Sequence, residues 1–144
     1  MEKLEVKSEK KHYKADAAVV WCYDNRFWKA FHYFLGNEGI KNFDPIVVAG
    51  GTKSIASPEN ESERAFMMKQ IELSIKLHHT PRVILMNHSD CGGYGGLGAF
   101  DNNEHQESSF HQEELTKAKK LVQENFPNVR VDAIFVDFQG IKFI

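Results

Sequence analysis

A histidine and two cysteines stand at positions from which they could bind one metal ion. His88 and Cys91 lie three residues apart directly after the apolar run 82–86, and Cys22 follows a second apolar run at 17–21. Zinc takes cysteine sulfur and histidine nitrogen in a tetrahedron, and a catalytic zinc keeps its fourth position for water. These residues therefore predict a zinc site, provided that the two apolar runs end close together in space.

A carboxylate and a guanidinium lie next to this predicted site. Asp24 comes two residues after Cys22, and Arg26 comes two residues later. The guanidinium could hold Asp24 in a bidentate pair and leave the fourth zinc position to water. Alternatively, Asp24 could fill that position and close the site. An ordinary surface ion pair, which contributes little free energy, is a simpler interpretation, but the location beside Cys22 favours a catalytic pair.

The elements that must position these residues alternate between strand and helix. Apolar runs predict strands at 16–21, 46–49, 82–86, 129–137 and 141–144, of which the first two are expected to be buried, and Pro45 is part of a break before the second. Amphipathic or aromatic stretches predict helices at 25–35, 63–77 and 112–125, with Phe66 and Leu77 on the apolar face of the second. The polar stretch 101–109 is expected to belong to a long connection. Such alternation indicates an α/β fold with a mainly parallel β-sheet, of strand order about 2-1-3-4, flanked by helices. In this order the first and third strands are neighbours, and ligands collect at their carboxyl ends.

This topology favours metal binding over a structural alternative, in which Cys22, Cys91 and His88 are two buried thiols and a hydrogen-bonded histidine. All three stand at predicted carboxyl ends of neighbouring strands. The other histidines have no partner at ligand spacing. The glycines between 92 and 98 are not followed by Gly-Lys-Ser/Thr, which excludes a phosphate-binding loop of that type.

The composition is that of one soluble domain. The 144 residues carry a net charge of −2 and are 42% apolar, which predicts no nucleic-acid surface and no basic membrane-binding face. The longest apolar runs, five or six residues, are far shorter than the roughly 20 that span a membrane. Residues 1–14 predict a polar N-terminal arm before a single zinc-binding domain at 15–144. Because the arm lacks the apolar core of a signal peptide, a cytoplasmic location is expected.

Three segments together resemble the β-class carbonic anhydrases. Cys-x-Asp-x-Arg follows the first strand at 22–26, Ala-Gly-Gly follows the second at 49–51, and His-x-x-Cys-Gly follows the third at 88–92. The resemblance extends over about residues 16–98, and the last helix and strand fit the same fold. The combination of the first and third motifs is more specific than either motif alone.

The resemblance implies a function as well as a fold. Zinc would be held by Cys22, His88 and Cys91, and Asp24 and Arg26 would form the catalytic pair beside it. The implied reaction is the reversible hydration of carbon dioxide to bicarbonate by zinc-bound hydroxide. Members of the family assemble as dimers or higher oligomers, so the resemblance also implies a homodimer or a higher homo-oligomer.

One departure from the family pattern lies near the implied substrate site. The family usually places Arg-Asn before its Ala-Gly pair, and Val47 and Val48 stand there in this chain. Two alternatives to a carbonic anhydrase therefore stay open. One is a non-catalytic zinc-binding protein of the same fold, and the other is a related zinc hydrolase that acts on carbon disulfide-like substrates.

Overall fold

A five-stranded β-sheet forms the centre of the structure, a computed structural model that describes residues 3–144. The strands are β1 (Ala17–Trp21), β2 (Phe43–Val47), β3 (Arg82–His88), β4 (Arg130–Val136) and β5 (Ile141–Phe143). Their spatial order is β2-β1-β3-β4-β5, in which the first four strands run parallel and β5 is antiparallel to β4. The predicted α/β class and the strand order 2-1-3-4 are confirmed.

Helices cover both faces of the sheet. They are α1 (Trp28–Asn37), α2 (Lys53–Ala56), α3 (Glu61–His78) and α4 (Glu104–Asn125), and 3-10 turns lie at Asn25–Phe27, Gly92–Tyr94 and Leu97–Phe100. One apolar core lies between the sheet and α2, α3 and α4, and a second lies between the sheet and α1. Within residues 3–144, none of the helices is both long enough and apolar enough to cross a membrane.

The central strand β1 shows why its apolar run has no polar alternation. All five of its residues are buried. Ala18 and Val20 belong to the core beneath α3 and α4, whereas Ala17, Val19 and Trp21 belong to the core beneath α1. Because successive strand side chains point to opposite faces, a strand that is covered on both faces is apolar throughout.

The edge strand β2 differs from its prediction in position and in burial. It spans Phe43–Val47 rather than 46–49, and only Ile46 within it is fully buried. Pro45, which the sequence suggests as part of a break before the strand, lies inside it. An edge strand tolerates proline because the missing N–H group can face solvent. The predicted fully buried second strand is therefore wrong.

Helix α3 buries a narrower face than its sequence predicts. Its buried positions are 67, 71 and 74, which follow the i, i+4, i+7 spacing of one helical face. Phe66 and Leu77, which were expected on the apolar face, are 59% and 66% exposed. Ser74 is buried in their place, and its hydroxyl donates a hydrogen bond to Asp44 on β2.

Helix α4 begins at Glu104, before its predicted start at residue 112. The side chain of Asn103 caps the helix by accepting hydrogen bonds from the backbone N–H groups of His105 and Gln106. Asparagine is among the preferred residues at this position because its side chain satisfies backbone donors that have no partner inside the helix. The polar stretch 101–109, predicted to be part of a long connection, is therefore largely helical.

Residues 3–14 form no helix or strand, and their side chains are exposed. Residues 1 and 2 of the predicted arm lie outside the described residues. At the end of the segment, the hydroxyl of Tyr13 donates a hydrogen bond to Asp44. This contact links the segment to the β2 edge of the sheet.

Candidate metal centre

Cys22, His88 and Cys91 come together at the carboxyl ends of β1 and β3. Cys22 directly follows β1, His88 ends β3, and Cys91 lies three residues further on. All three are buried, and their candidate ligand atoms lie within 4.8 Å of one another. Within residues 3–144 they form the one group of three or more such side chains at this spacing.

The separation of the two sulfur atoms suits a tetrahedral metal ion. The Sγ atoms of Cys22 and Cys91 are 3.9 Å apart. Two sulfur atoms bound to one zinc at about 2.3 Å and at the tetrahedral angle would lie about 3.8 Å apart. The observed separation is close to this value.

Hydrogen bonding leaves one ring nitrogen of His88 free for a metal ion. Nδ1 lies 2.8 Å from the carbonyl oxygen of Ser89, so Nδ1 carries the ring proton and donates a hydrogen bond to this oxygen. Nε2 is buried and has no hydrogen-bond partner among the described residues. Metal-binding histidines ordinarily donate their other N–H group to a carbonyl or carboxylate in this way. A metal ion would satisfy the buried nitrogen, so the residues present fit such an ion.

The two thiols share a hydrogen bond that moves their pKa values apart. The Cys91 thiol donates to the Cys22 sulfur, which lowers the pKa of Cys22. The same bond, together with burial, raises the pKa of Cys91. A bound dication would favour the thiolate form of both residues. Two thiolates and one imidazole nitrogen are ligands that zinc prefers.

Asp24 and Arg26 form a tight pair at the 3-10 turn that follows β1. Nε and Nη2 of Arg26 donate to the two carboxylate oxygens of Asp24 at 2.6–3.1 Å, and the backbone N–H of Arg26 donates to Oδ1 at 3.0 Å. The side-chain hydrogen bonds from Arg26 lower the pKa of Asp24 to about 2. Asp24 is therefore ionised at neutral pH, and it is not part of the Cys22, His88 and Cys91 group. Arg26 engages the carboxylate in this structure.

Arg26 has a second acidic partner that the sequence pattern does not indicate. Its Nη1 donates to Oδ2 of Asp90 at 2.8 Å, and its Nη2 donates to the backbone carbonyl of Asp90 at 3.0 Å. The pKa of Arg26 is raised mainly by its side-chain hydrogen bonds to Asp24 and, to a smaller extent, by its side-chain hydrogen bond to Asp90. Because Asp90 lies between His88 and Cys91, Arg26 ties the segment after β1 to the segment after β3.

Aromatic side chains surround the ligand group. The rings of Phe27 and Trp21 lie 4.5 and 5.8 Å from the ring of His88. Phe138, between β4 and β5, packs against Phe27 at 5.1 Å and lies 5.7 Å from the guanidinium carbon of Arg26. The site therefore has an apolar wall on this side.

Val47 and Val48 lie at the carboxyl end of the neighbouring strand β2. The backbone N–H of Val48 donates to the carbonyl of Trp21 at 3.0 Å, and its side chain packs against the core beneath α3. Val47 is 37% exposed. Neither side chain offers a polar group to a ligand.

Glu107, a buried carboxylate of α4 that contacts the segment between His88 and Cys91, was not predicted from the sequence. A usable signal was present in the spacing of the residues. Glu107, His111, Glu114 and Ala118 recur at intervals of three or four, and all four are buried on one face of α4. His111 packs on Phe135, and burial lowers the pKa of this histidine to about 4.

Gly93→Ala is expected to disturb the loop that carries Cys91. A Cβ atom at Gly93 would lie 2.6 Å from Cα and 2.8 Å from N of Gly50, and both are backbone atoms that cannot rotate away. Overpacking of this kind typically costs about 1–3 kcal/mol. We expect a lower urea midpoint of unfolding and weaker metal binding. Gly92→Ala is the matched control, since a Cβ there meets no atom within 4 Å. Equal losses in the two variants would contradict this expectation.

The chain matches a described protein family. The family model described as "Putative carbonic anhydrase" matches residues 12–142. Two uncharacterized proteins, from Rickettsia bellii and Rickettsia conorii, are each 24% identical to the chain. The alignments cover 96% of this chain and 88% and 77% of those proteins, respectively.

Solved structures with the same fold include β-carbonic anhydrases. The beta-carbonic anhydrase isoform I from Trichomonas vaginalis aligns with a TM-score of 0.62 at 17% identity, covering 97% of this chain and 87% of that one. A tetrameric beta-carbonic anhydrase from Sordaria macrospora aligns with a TM-score of 0.63 at 15% identity, covering 92% and 82%. The fold expected from the sequence resemblance is confirmed.

Proposed function

Since the chain belongs to the carbonic anhydrase family whose model it matches, we propose that it is a zinc-dependent enzyme that interconverts carbon dioxide and bicarbonate. The observation that carries the proposal is the Asp24–Arg26 pair, which Asp90 ties to the Cys22, His88 and Cys91 group. A purely structural zinc site has no need of an ionised carboxylate held beside it.

The metal would be bound by two sulfur atoms and one imidazole nitrogen. The 3.9 Å separation of the Cys22 and Cys91 sulfurs and the free Nε2 of His88 support this assignment. When bound, zinc supplies a Lewis acid that makes a water molecule nucleophilic at neutral pH. Three protein ligands are the number that catalytic zinc sites ordinarily use.

Asp24 would orient the attacking water. Its carboxylate is ionised, and Arg26 fixes both oxygens by hydrogen bonds. Three N–H groups of Arg26 donate to this carboxylate, the Nε–H being shared between its two oxygens. A carboxylate has about four acceptor sites, so one is left for a hydrogen bond from the water. The Asp24 side chain is 20% exposed, which leaves it accessible. An acceptor held in place directs the remaining lone pair of the water oxygen toward the substrate carbon.

The apolar wall formed by Phe27 and Phe138 suits a small uncharged substrate. Carbon dioxide has no net charge, and apolar side chains can contact it without leaving a polar group unpaired. The valines at 47 and 48 do not change the Asp24–Arg26 pair, because they lie at and just after the end of β2 and make none of its hydrogen bonds. The substrate site would therefore keep its orienting carboxylate despite this departure.

A homo-oligomer and a cytoplasmic location complete the proposal. The Sordaria macrospora enzymes of this fold are tetrameric, and large exposed aromatic residues here would suit an interface between copies: Trp28, Tyr33, Phe138 and Phe143. Light scattering should give a mass of at least two chains. A reducing compartment such as the cytosol keeps two neighbouring thiols from forming a disulfide, which supports a cytoplasmic location.

Stopped-flow hydration of carbon dioxide by zinc-loaded protein tests the proposed reaction. We expect a rate above that of buffer, and a loss of about 100-fold or more in Asp24→Asn, since that amide cannot act as an ionised acceptor. Asp101→Asn, at an exposed position, is the control and should keep the wild-type rate. Zinc-loaded protein that hydrates at the buffer rate would indicate a non-catalytic protein. Hydrogen sulfide release from carbon disulfide with weak hydration would indicate the sulfur-analogue hydrolase.

A further inference from the structure

Glu107, in the first turns of α4, is a buried carboxylate that the proposed mechanism does not use. It is 1% exposed, and no lysine, arginine or histidine among residues 3–144 forms an ion pair with it. A buried charge without a partner of opposite sign carries a desolvation penalty. A residue buried at such a cost is a candidate for a functional role, and its hydrogen bonds show which one.

Both carboxylate oxygens of Glu107 bind the segment between two of the metal-ligand residues. Oε2 accepts a hydrogen bond from the hydroxyl of Ser89 at 2.5 Å, and Oε1 accepts one from the backbone N–H of Asp90 at 2.7 Å. Ser89 is itself buried. Glu107 therefore fixes the backbone of the loop that runs from His88 to Cys91.

The peptide group between Ser89 and Asp90 connects Glu107 to His88. Its N–H donates to Glu107, and its carbonyl oxygen accepts the proton of His88 Nδ1 at 2.8 Å. Hydrogen bonds at the two ends of one peptide group polarise each other. The negative charge of Glu107 therefore makes the carbonyl a stronger acceptor, and this makes the opposite nitrogen of His88 a better electron donor.

The same contact holds Asp90 in position for Arg26. Asp90 has a left-handed backbone conformation, with φ of 52°, which few residues other than glycine adopt. Glu107 holds its backbone N–H, and its Oδ1 accepts the backbone N–H of Leu97 at 2.8 Å. These bonds leave Oδ2 and the carbonyl of Asp90 directed at Arg26.

We propose that Glu107 is a positioning residue for the metal centre, one that strengthens metal binding by His88 through the Ser89–Asp90 peptide and holds Asp90 against Arg26. The inference rests on the proposed function for the identity of the metal, zinc. It does not depend on carbon dioxide being the substrate.

Glu107→Gln separates charge from shape. The amide oxygen can accept from the N–H of Asp90, and the amide nitrogen can donate to the Ser89 oxygen, so the hydrogen bonds are retained and the charge is lost. We expect zinc affinity, measured by competition with a chelator, to fall by about 10-fold. The urea midpoint of the metal-free variant should equal or exceed that of metal-free wild type, because the unpaired buried charge is gone.

Glu114→Gln is the matched control for a buried carboxylate on the same helix. Glu114 is 7% exposed, and it bonds to Ser57 and Tyr94 rather than to residues 88–91. The zinc affinity of Glu114→Gln should equal that of wild type. Glu113→Gln, at an exposed position of the same helix, should also bind zinc as tightly as wild type.

Two outcomes for Glu107→Gln would overturn the inference. One is wild-type zinc affinity, and the other is a parallel loss of zinc affinity and metal-free stability, which would mark Glu107 as structural support only. Wild-type protein that binds zinc without hydrating carbon dioxide would overturn the proposed reaction. The role of Glu107 would then still be tested by the zinc affinity of Glu107→Gln relative to wild type. Wild-type protein that binds no zinc would overturn both.

Discussion

Replacing Cys22 with serine is expected to abolish zinc binding and, with it, carbon dioxide hydration. The variant keeps two of the three proposed ligands, and a serine hydroxyl does not ionise at neutral pH as a metal-bound thiol does. Cys22 is 5% exposed, and its sulfur atom lies 3.9 Å from that of Cys91. Among residues 3–144 the ligand group has no fourth member that could replace it. Zinc content should fall from about one per chain to about a tenth of that.

Elemental analysis of the purified variant, followed by stopped-flow hydration, measures both effects on one sample. The hydration rate should fall to that of buffer. His105→Ala is the control, because His105 is an exposed histidine outside the ligand group, and it should retain zinc and activity. Full zinc content in Cys22→Ser would contradict the proposed ligand set.

Arg26→Lys is expected to reduce turnover by about 100-fold while zinc stays bound. One guanidinium in the native chain bonds to both oxygens of Asp24 and to the side chain and backbone of Asp90. A lysine ammonium is a point charge and cannot reproduce this fork. Misplacement of an orienting group by about 1 Å can cost about 100-fold in rate. Arg130→Lys, whose native side chain is 65% exposed and pairs with Asp132, is the control.

The effect of Arg26→Lys should come from orientation rather than from protonation of Asp24. Arg26 holds the pKa of Asp24 at about 2, and the ordinary value is about 3.9, so Asp24 stays ionised at pH 7 either way. Because the folded-state pKa is lowered, the pair stabilises the fold above about pH 4 and loses this effect as the pH falls toward 2. Turnover that is unchanged in Arg26→Lys, or a large loss of zinc, would contradict the assigned role.

The sequence predicted β1 and β3 as strands of a parallel sheet because their apolar runs, which are buried on both faces, show no polar alternation. The bounds of the edge strand β2 were harder to predict, since proline usually interrupts a strand. Pro45 is tolerated inside β2 only because the strand lies at the edge of the sheet. The start of α4 was missed because residues 104–109 face solvent in part and lack an apolar pattern, although Asn103 was a usable cap signal. Because this helix was predicted to begin at residue 112, Glu107 was assigned to the connection before it.

The parts of the candidate site that were predictable are those whose residues lie close together in the sequence. Cys22 with Asp24, and His88 with Cys91, are short motifs at strand ends, and parallel topology brings such ends together. Contacts between distant segments were not predictable in the same way. The bonds of Asp90 to Arg26 and to Glu107 depend on a left-handed backbone and on the angle at which α4 packs, and no residue spacing encodes these.

The most direct test of the proposed zinc site is a zinc titration of metal-free wild-type protein, with carbon dioxide hydration measured at each step. If Cys22, His88 and Cys91 form one catalytic zinc site, hydration should start at the buffer rate, rise in proportion to added zinc and stop rising at about one zinc per chain. Full hydration by the metal-free chain, or one bound zinc with hydration still at the buffer rate, would contradict the proposed function.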